Sequence, residues 1–575
     1  MQSYPLHLGH FRAIRFSILM GVVLGESVLR AEIPATAEAP AVRVIDVHTH
    51  VFNVRDLPVY GILRSKGVGP VVAGVLARSI LHMTPAAEEG EGLKGRNLWK
   101  SVDQPEATVL EQSERIILLR FLHEPDALAD EDAPPPENKD TGGGRREREW
   151  RDDQLSQEGV KSLEMRRAFD GLSDDAVLIV ESLRKAGFLI EEEHGEEARG
   201  EDKSIRTLRS AREKLAGYLS FFGIMVRRQD EIATYLRERA YPQVDLFLHH
   251  LMDMGTAYGD SPSNLFDRQI DGFARLDRRQ GGRLIHFSAY DPFRNSDALP
   301  YAQRAMAAGA WGIKVYPPSG YRVAANVIPA RPPVWKPSAL DRWKSRYEQW
   351  RDAGELDAVL DEFFTWAAEK KVPLFTHCTP VGFEAEAGYG ENSDPYFWRM
   401  VLEKHPDLVL CFGHAGGEAF WFSDPRLDST MPPVSSAQRQ RWHYGRQVVD
   451  LCLEFKNVYC GLDFLEPVLT PRGRALAGAR LSSLIDLPSA DGEWRLGDKV
   501  MYGTDWHMMQ QVPGFEGYLA AWDEVFRSLD PRWRGRFFAG NAVEFLRMRE
   551  RAQETRFSAV QRQYWSGLIQ AIDRQ

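Results

Sequence analysis

The side chains best suited to chemistry are histidines and one aspartate, each placed at the close of a short apolar run. His48-Thr49-His50 ends the run Arg43–His50. Side chains alternate faces along a strand, so positions i and i+2 project to one side and can bring two imidazoles together. His377 ends LFTH, His414 ends CFGH and Asp505 ends YGTD. A single histidine at such a place is usually a core residue, and an H-x-H pair arises by chance. Five ionisable groups behind four separate apolar runs are harder to dismiss, because buried polar rings are costly unless partnered. Three histidines and a carboxylate, His48, His50, His377 and Asp505, make a donor set for a divalent ion such as zinc. A further position is left for water or substrate.

Lys314 stands inside another apolar run, GIKVYPP. A buried lysine needs a partner or a shifted pKa. Three readings stay open: a carbamylated lysine bridging two metals, a cation beside substrate or a carboxylate, and a structural ion pair.

These groups need a scaffold that gathers distant strand ends. Eight runs read as strands: Arg43–His50, Val244–His249, Arg283–Ala289, Gly312–Tyr316, Val372–His377, Leu408–Gly413, Asn457–Leu462 and Lys499–Gly503. Helical patterns at Asn264–Arg279, Tyr301–Ala308, Glu355–Lys370, Pro395–Lys404 and Ala437–Phe455 separate them. Alternating strands and helices indicate a parallel sheet. Eight units, with no glycine-rich dinucleotide fingerprint after the first strand, point to an α/β fold, a TIM-like (β/α)8 barrel. Active sites of this fold sit where the strands end, which is where the five groups fall.

The chain has 575 residues, 43% of them hydrophobic. A barrel needs only about 250, and the surplus lies mainly in one place. Residues 54–240 form a long, mainly helical insertion after the first strand. A low-complexity linker interrupts it at about 126–156, where Pro134-Pro135-Pro136 and Gly142–Gly144 are embedded in charge. The amphipathic stretch Ser204–Ala240 and the Tyr-, Trp- and Pro-rich connection Pro317–Gly354 both leave strand ends, so both are expected over the barrel mouth. The organisation read from the sequence is thus a leader (1–40), the first strand (41–53), the insertion (54–240), the rest of the barrel (241–550) and a C-terminal helix (551–575).

A net charge of −10 and the lack of a basic patch argue against a nucleic-acid partner. Cys378, Cys411, Cys452 and Cys460 lack C-x-x-C spacing and are expected as buried free thiols. Arg12 and Arg15, the apolar stretch Phe16–Gly25 and Ala35-Thr36-Ala37 follow the pattern of a secretory signal, interrupted by Glu26. Export, to the periplasm, follows if that segment is a signal, and a cytoplasmic location if it is not. No other stretch approaches the roughly 20 apolar residues of a membrane span.

IDVHTH, GIKVYPP, LFTHC, SDPYFWRMVLEKHPDLVLCFGHAGG, YGTDW and FFAGNAVEFL together resemble the amidohydrolase superfamily, and within it the amidohydrolase-2 branch of metal-dependent hydrolases and decarboxylases. The resemblance covers residues 41–53 and roughly 241–550 and leaves the insertion out. It implies that His48, His50, His377 and Asp505 are metal ligands and that Asp505 also shuttles a proton. His414 would be a further ligand or, where one metal is bound, a residue acting on water or substrate. Lys314 matches the position of a bridging carbamate. Asn541 is expected to cap the terminal helix rather than touch substrate.

The expected activity is hydrolysis of an amide, ester or lactone carbonyl in a small molecule, with one or two divalent ions, zinc first among them. Asp505 and His414 would be the catalytic groups. A decarboxylase of a small, possibly aromatic carboxylic acid is the first rival, and a non-catalytic metal-binding protein the second. Assembly into an oligomer is left open.

Overall fold

The computed structural model describes residues 42–65, 224–326, 353–386, 388–427 and 436–575, with scattered residues between 73 and 84. The leader, the low-complexity linker, most of the insertion and most of the Pro317–Gly354 connection lie outside the described residues.

Eight strands occur where the apolar runs place them, to within two residues: β1 (Ile45–Thr49), β2 (Leu246–His250), β3 (Leu284–Tyr290), β4 (Gly312–Val315), β5 (Leu374–Thr376), β6 (Leu410–Phe412), β7 (Val458–Leu462) and β8 (Val500–Tyr502). Each pairs in parallel with the next, in the order β1 to β8. The seam between β1 and β8 is nearly closed. There Asp505 N–H donates to the His48 carbonyl at 2.6 Å. Asp46 accepts from Thr504 N–H at 3.0 Å and from the Thr504 hydroxyl at 2.6 Å. Burial pushes the Asp46 carboxyl up to about 8, against the pull of those hydrogen bonds.

The helices are α1 (Val59–Ser65), α2 (Gln229–Tyr235), α3 (Phe266–Arg279), α4 (Ala298–Ala308), α5 (Ala353–Glu369), α6 (Pro395–Lys404), α7 (Ser436–Glu454), α8 (Pro471–Leu484), α9 (Tyr518–Arg527) and α10 (Ala559–Asp573), with shorter turns between. Their starts follow local chemistry. Asp394, Thr470 and Ser558 each accept a backbone N–H of the first turn, and proline opens α6 and α8. No helix among the described residues is long and apolar enough to cross a membrane.

Two apolar clusters close the barrel at opposite ends. Val47, Leu248, Phe287, Phe375 and Met501 run into Phe545, Trp565 and Ile569 of the C-terminal segment. Trp565 and Trp311 fasten that plug, donating to the Gly282 carbonyl at 2.7 Å and the Leu546 carbonyl at 2.8 Å. At the other end α1 lies against Met252, Met254 and Tyr258, with Phe52, Tyr316 and Phe383 at its margin. The contact is close enough that a Cβ on Gly61 would stand 2.4 Å from the Tyr258 carbonyl. The start of the insertion therefore covers part of the mouth.

Outside the barrel, Asp277 of α3 accepts from His249 Nε2 at 3.0 Å and His286 Nδ1 at 2.6 Å, clamping the helix to β2 and β3. All four cysteines are buried and free. One expectation is corrected. Asn541 caps no helix; its buried amide donates to the Gly497 and Val500 carbonyls at 2.8 and 2.7 Å. It ties its helix to the entry of β8.

Candidate metal centre

All the candidate groups meet at the mouth covered by α1. His48 lies within β1 and His50 just past it. His377, His414 and Asp505 follow β5, β6 and β8. The alternation argument for His48 and His50 holds only loosely, since the register of β1 on β2 shifts between Asp46 and Thr49. The two rings stand 5.3 Å apart, edge to face. His414 and Asp505 have left-handed backbones, with φ of 58° and 48°. Such conformations are uncommon outside glycine and concentrate at functional sites.

His48, His414 and Asp505 each bring one potential ligand atom within 4.8 Å of the others. His50 Nε2 is 3.3 Å from Asp505 Oδ1, and His377 Nδ1 is 3.2 Å from His414 Nε2. Every ring has its other nitrogen committed. His48 Nδ1 donates to Asp463 Oδ1 at 2.7 Å, and His50 Nδ1 to the His250 carbonyl at 2.8 Å. His414 Nδ1 also lies 2.7 Å from Asp463 Oδ1. His377 Nε2 donates to the Val381 carbonyl at 2.9 Å. With each proton held outward, the lone pairs of His48, His50 and His414 at Nε2 and of His377 at Nδ1 turn inward. Asp505 Oδ1 is buried there with no hydrogen-bond partner.

A buried carboxylate oxygen without a donor, beside imidazole nitrogens, is costly without a cation. Two imidazole lone pairs facing at 3.2 Å repel unless a proton or metal lies between them. The donor set, nitrogen-rich with one carboxylate, fits zinc or a similar divalent ion. In a second group of ligand-like spacing, His249, Asp277 and His286, both rings donate to the Asp277 carboxylate, and His249 Nδ1 and His286 Nε2 are buried without a hydrogen-bond partner.

Burial holds His48, His50 and His377 well below the ordinary imidazole range, and neighbouring Lys314 adds to this in each. Burial pulls His414 down as well, but the Asp463 carboxylate outweighs it and the net shift is upward. Burial pushes Asp505 up to about 6. Lys314 sits inside the barrel with Nζ 3.2 Å from His48 Nε2 and 4.4 Å from the Phe375 ring centre, and burial brings it down to about 8.

Sequence reading missed Asp463, His250 and the Val381 carbonyl. Asp463 had a signal: it follows β7 directly, in the same strand-end position as the other groups. The two carbonyl partners had none, because any residue supplies a carbonyl.

The amidohydrolase family model matches residues 264–548, the part of the barrel that runs from α3 through β8, and that part belongs to the family. The family is metal-dependent, and the match points to an enzyme, hydrolase or decarboxylase, that acts on small molecules. No curated protein matches the sequence. Similar solved structures include an uncharacterized TIM-barrel protein from Bordetella bronchiseptica (12% identity, 56% of this chain and 84% of that one, TM-score 0.35). Others are 2,6-dihydroxybenzoate decarboxylase with 2,6-dihydroxybenzoate (14%, 55% and 87%, TM-score 0.34) and a probable 2-pyrone-4,6-dicarboxylic acid hydrolase from Acinetobacter baumannii with citric acid (12%, 55% and 88%, TM-score 0.31).

Proposed function

We propose that the chain is a metal-dependent hydrolase acting on an amide, ester or lactone carbonyl of a small molecule, with zinc as its ion. The reading rests above all on one observation: Asp505 Oδ1 is buried without a hydrogen-bond partner beside His48, His50 and His414, each of which has its Nδ1 committed elsewhere.

In this reading His48, His50, His377 and Asp505 hold the ion. The ion supplies Lewis acidity, lowering the pKa of a water from 15.7 to about 7 and polarising a carbonyl. Asp505 Oδ1 accepts the proton of the attacking water and returns it to the leaving group. His414 is a further ligand where two ions bind. Where one binds, it steadies the oxyanion, with Asp463 behind it balancing the charge of a protonated ring. Buried walls and α1 keep bulk water from the reacting carbonyl.

Lys314 separates the one-ion and two-ion forms. An unmodified ammonium at 3.2 Å would occupy the inward lone pair of His48. A carbamate on the same nitrogen would instead offer oxygens to two ions. Elemental analysis of the purified protein tests this: about one ion per chain argues against the carbamate, about two support it.

The activity is tested by assaying a panel of amides, esters, lactones and small aromatic carboxylic acids in 18O-labelled water, with carbon dioxide trapped in parallel. Metal-dependent label in a product acid supports hydrolysis. Carbon dioxide release without label replaces hydrolysis with decarboxylation. Full occupancy with neither product in any class would leave a non-catalytic metal protein.

A further inference from the structure

Asp463 is fully buried, and one of its oxygens does unusual duty. Oδ1 receives His48 Nδ1 at 2.7 Å and the His414 backbone N–H at 2.9 Å, and His414 Nδ1, which donates to the Asp463 main-chain carbonyl at 3.3 Å, also lies 2.7 Å from it, whereas Oδ2 has no partner. The rings come from β1 and β6, on different sides of the barrel. The backbone is strained past β6 and past β7: φ is 58° at His414, 44° at Ala415 and 49° at Phe464, the residue after Asp463. A carboxylate free to settle would spread its donors over two oxygens. Here the donors converge on one, so the strand ends fix the contact.

We propose that Asp463 is a positioning residue for two rings at once: it keeps a proton of His48 and of His414 on Nδ1, so that both turn Nε2 into the site, and it holds the left-handed turn that aims His414. The metal-binding part of this rests on the function proposed above; the choice of tautomer does not. An imidazole with its proton on Nε2 has no lone pair to offer inward, so the wrong tautomer removes a ligand without moving an atom of the backbone. An aspartate at this place acts on the site through the rings and touches neither ion nor substrate.

The full-length protein, 15N-labelled at histidine, stripped of metal and held at pH 9 so that the rings are neutral, gives the decisive reading. Long-range 1H–15N spectra, assigned with His48→Gln and His414→Gln, should show both rings protonated at Nδ1. In Asp463→Ala His48 should shift to the Nε2–H form while His414 keeps the main-chain carbonyl of residue 463 as its acceptor, and zinc affinity measured against a chromophoric chelator should fall 10- to 100-fold. Asp463→Asn, whose amide oxygen can still accept, should keep the wild-type ring spectra and most of the affinity. Wild-type rings protonated at Nε2, or an alanine variant with unchanged spectra, would overturn the proposal. The wild-type spectrum decides even if the alanine variant does not fold. A wild-type protein that binds no zinc would remove the hydrolase reading while the spectra still judge Asp463.

Discussion

Gly382 stands against the ring of His377 so closely that a Cβ there would lie 2.7 Å from Nε2. Its φ of +159° is one that side chains rarely adopt. The same loop supplies the Val381 carbonyl that takes the His377 proton. Gly382→Ala must therefore turn the ring or push the loop away. Metal affinity is expected to fall 10- to 100-fold, read by chelator competition, with the melting temperature shifting far less than in a core variant. Unaltered affinity in a folded protein would mean that the loop does not aim His377.

Asp505 is expected to act on protons as well as on the ion. Asp505→Asn keeps the shape of the side chain and one ligand oxygen but can no longer accept a proton. Turnover should drop by about 10²- to 10⁴-fold, with metal content reduced or retained. Steady-state kinetics beside elemental analysis check this. Metal content and rate both at wild-type level would sink the role.

Acid should loosen the clamp between α3 and the barrel. Burial holds His249 below its ordinary value, and Asp277 only partly offsets this. Burial also pushes Asp277 up, but His286 and His249 outweigh it and keep it below the usual carboxylate range. The two shifts have one sign. A histidine depressed in the folded state loses stability as pH falls below about 6.5, where the unfolded chain takes the proton. A depressed aspartate holds its contribution above about 3.9 and loses it as pH falls through its lower folded value. His249→Gln, whose amide can still donate to Asp277, should remove up to about 1.4 kcal/mol per pH unit from the slope of unfolding free energy below pH 6. Urea unfolding at stepped pH gives that slope, and equal slopes in the two proteins would refute the clamp as its source.

Asn541 should matter to stability and not to chemistry. Asn541→Ala leaves the Gly497 and Val500 carbonyls buried without a donor, at a cost of about 2–4 kcal/mol. The urea midpoint should fall accordingly while metal stoichiometry stays at the wild-type value. A loss of metal at full stability would reverse this assignment.

Much of this was legible in the sequence, and the reasons are physical. Strands of a parallel barrel are buried on both faces, so runs such as NVYCGL and RLIHFSA stand out as apolar blocks. His377, His414 and Asp505 were found because charged groups directly after such blocks conflict with burial. Asp463 satisfies the same rule and was passed over because no histidine adjoins it in the chain. Asn541 was misjudged for another reason. Asparagine next to a helix is a common cap, and only the tertiary placement of β8 reveals the carbonyls it serves. The partners of His50 and His377 are main-chain oxygens, which no pattern of side chains encodes.

The seam between β1 and β8 has a consequence for how the protein comes into being. Thr504 and Asp46 are 458 positions apart, and the groups they flank, Asp505 and His48, are the last to be brought together in order of synthesis. A nascent chain emerging from the ribosome can fold most of its strand–helix units, yet it holds no complete cage for an ion until the eighth strand has been released. Loading must then await the eighth strand, and contacts of such long range form slowly. Shortage of metal during growth should therefore leave folded, vacant protein that can be charged afterwards, rather than chains arrested midway.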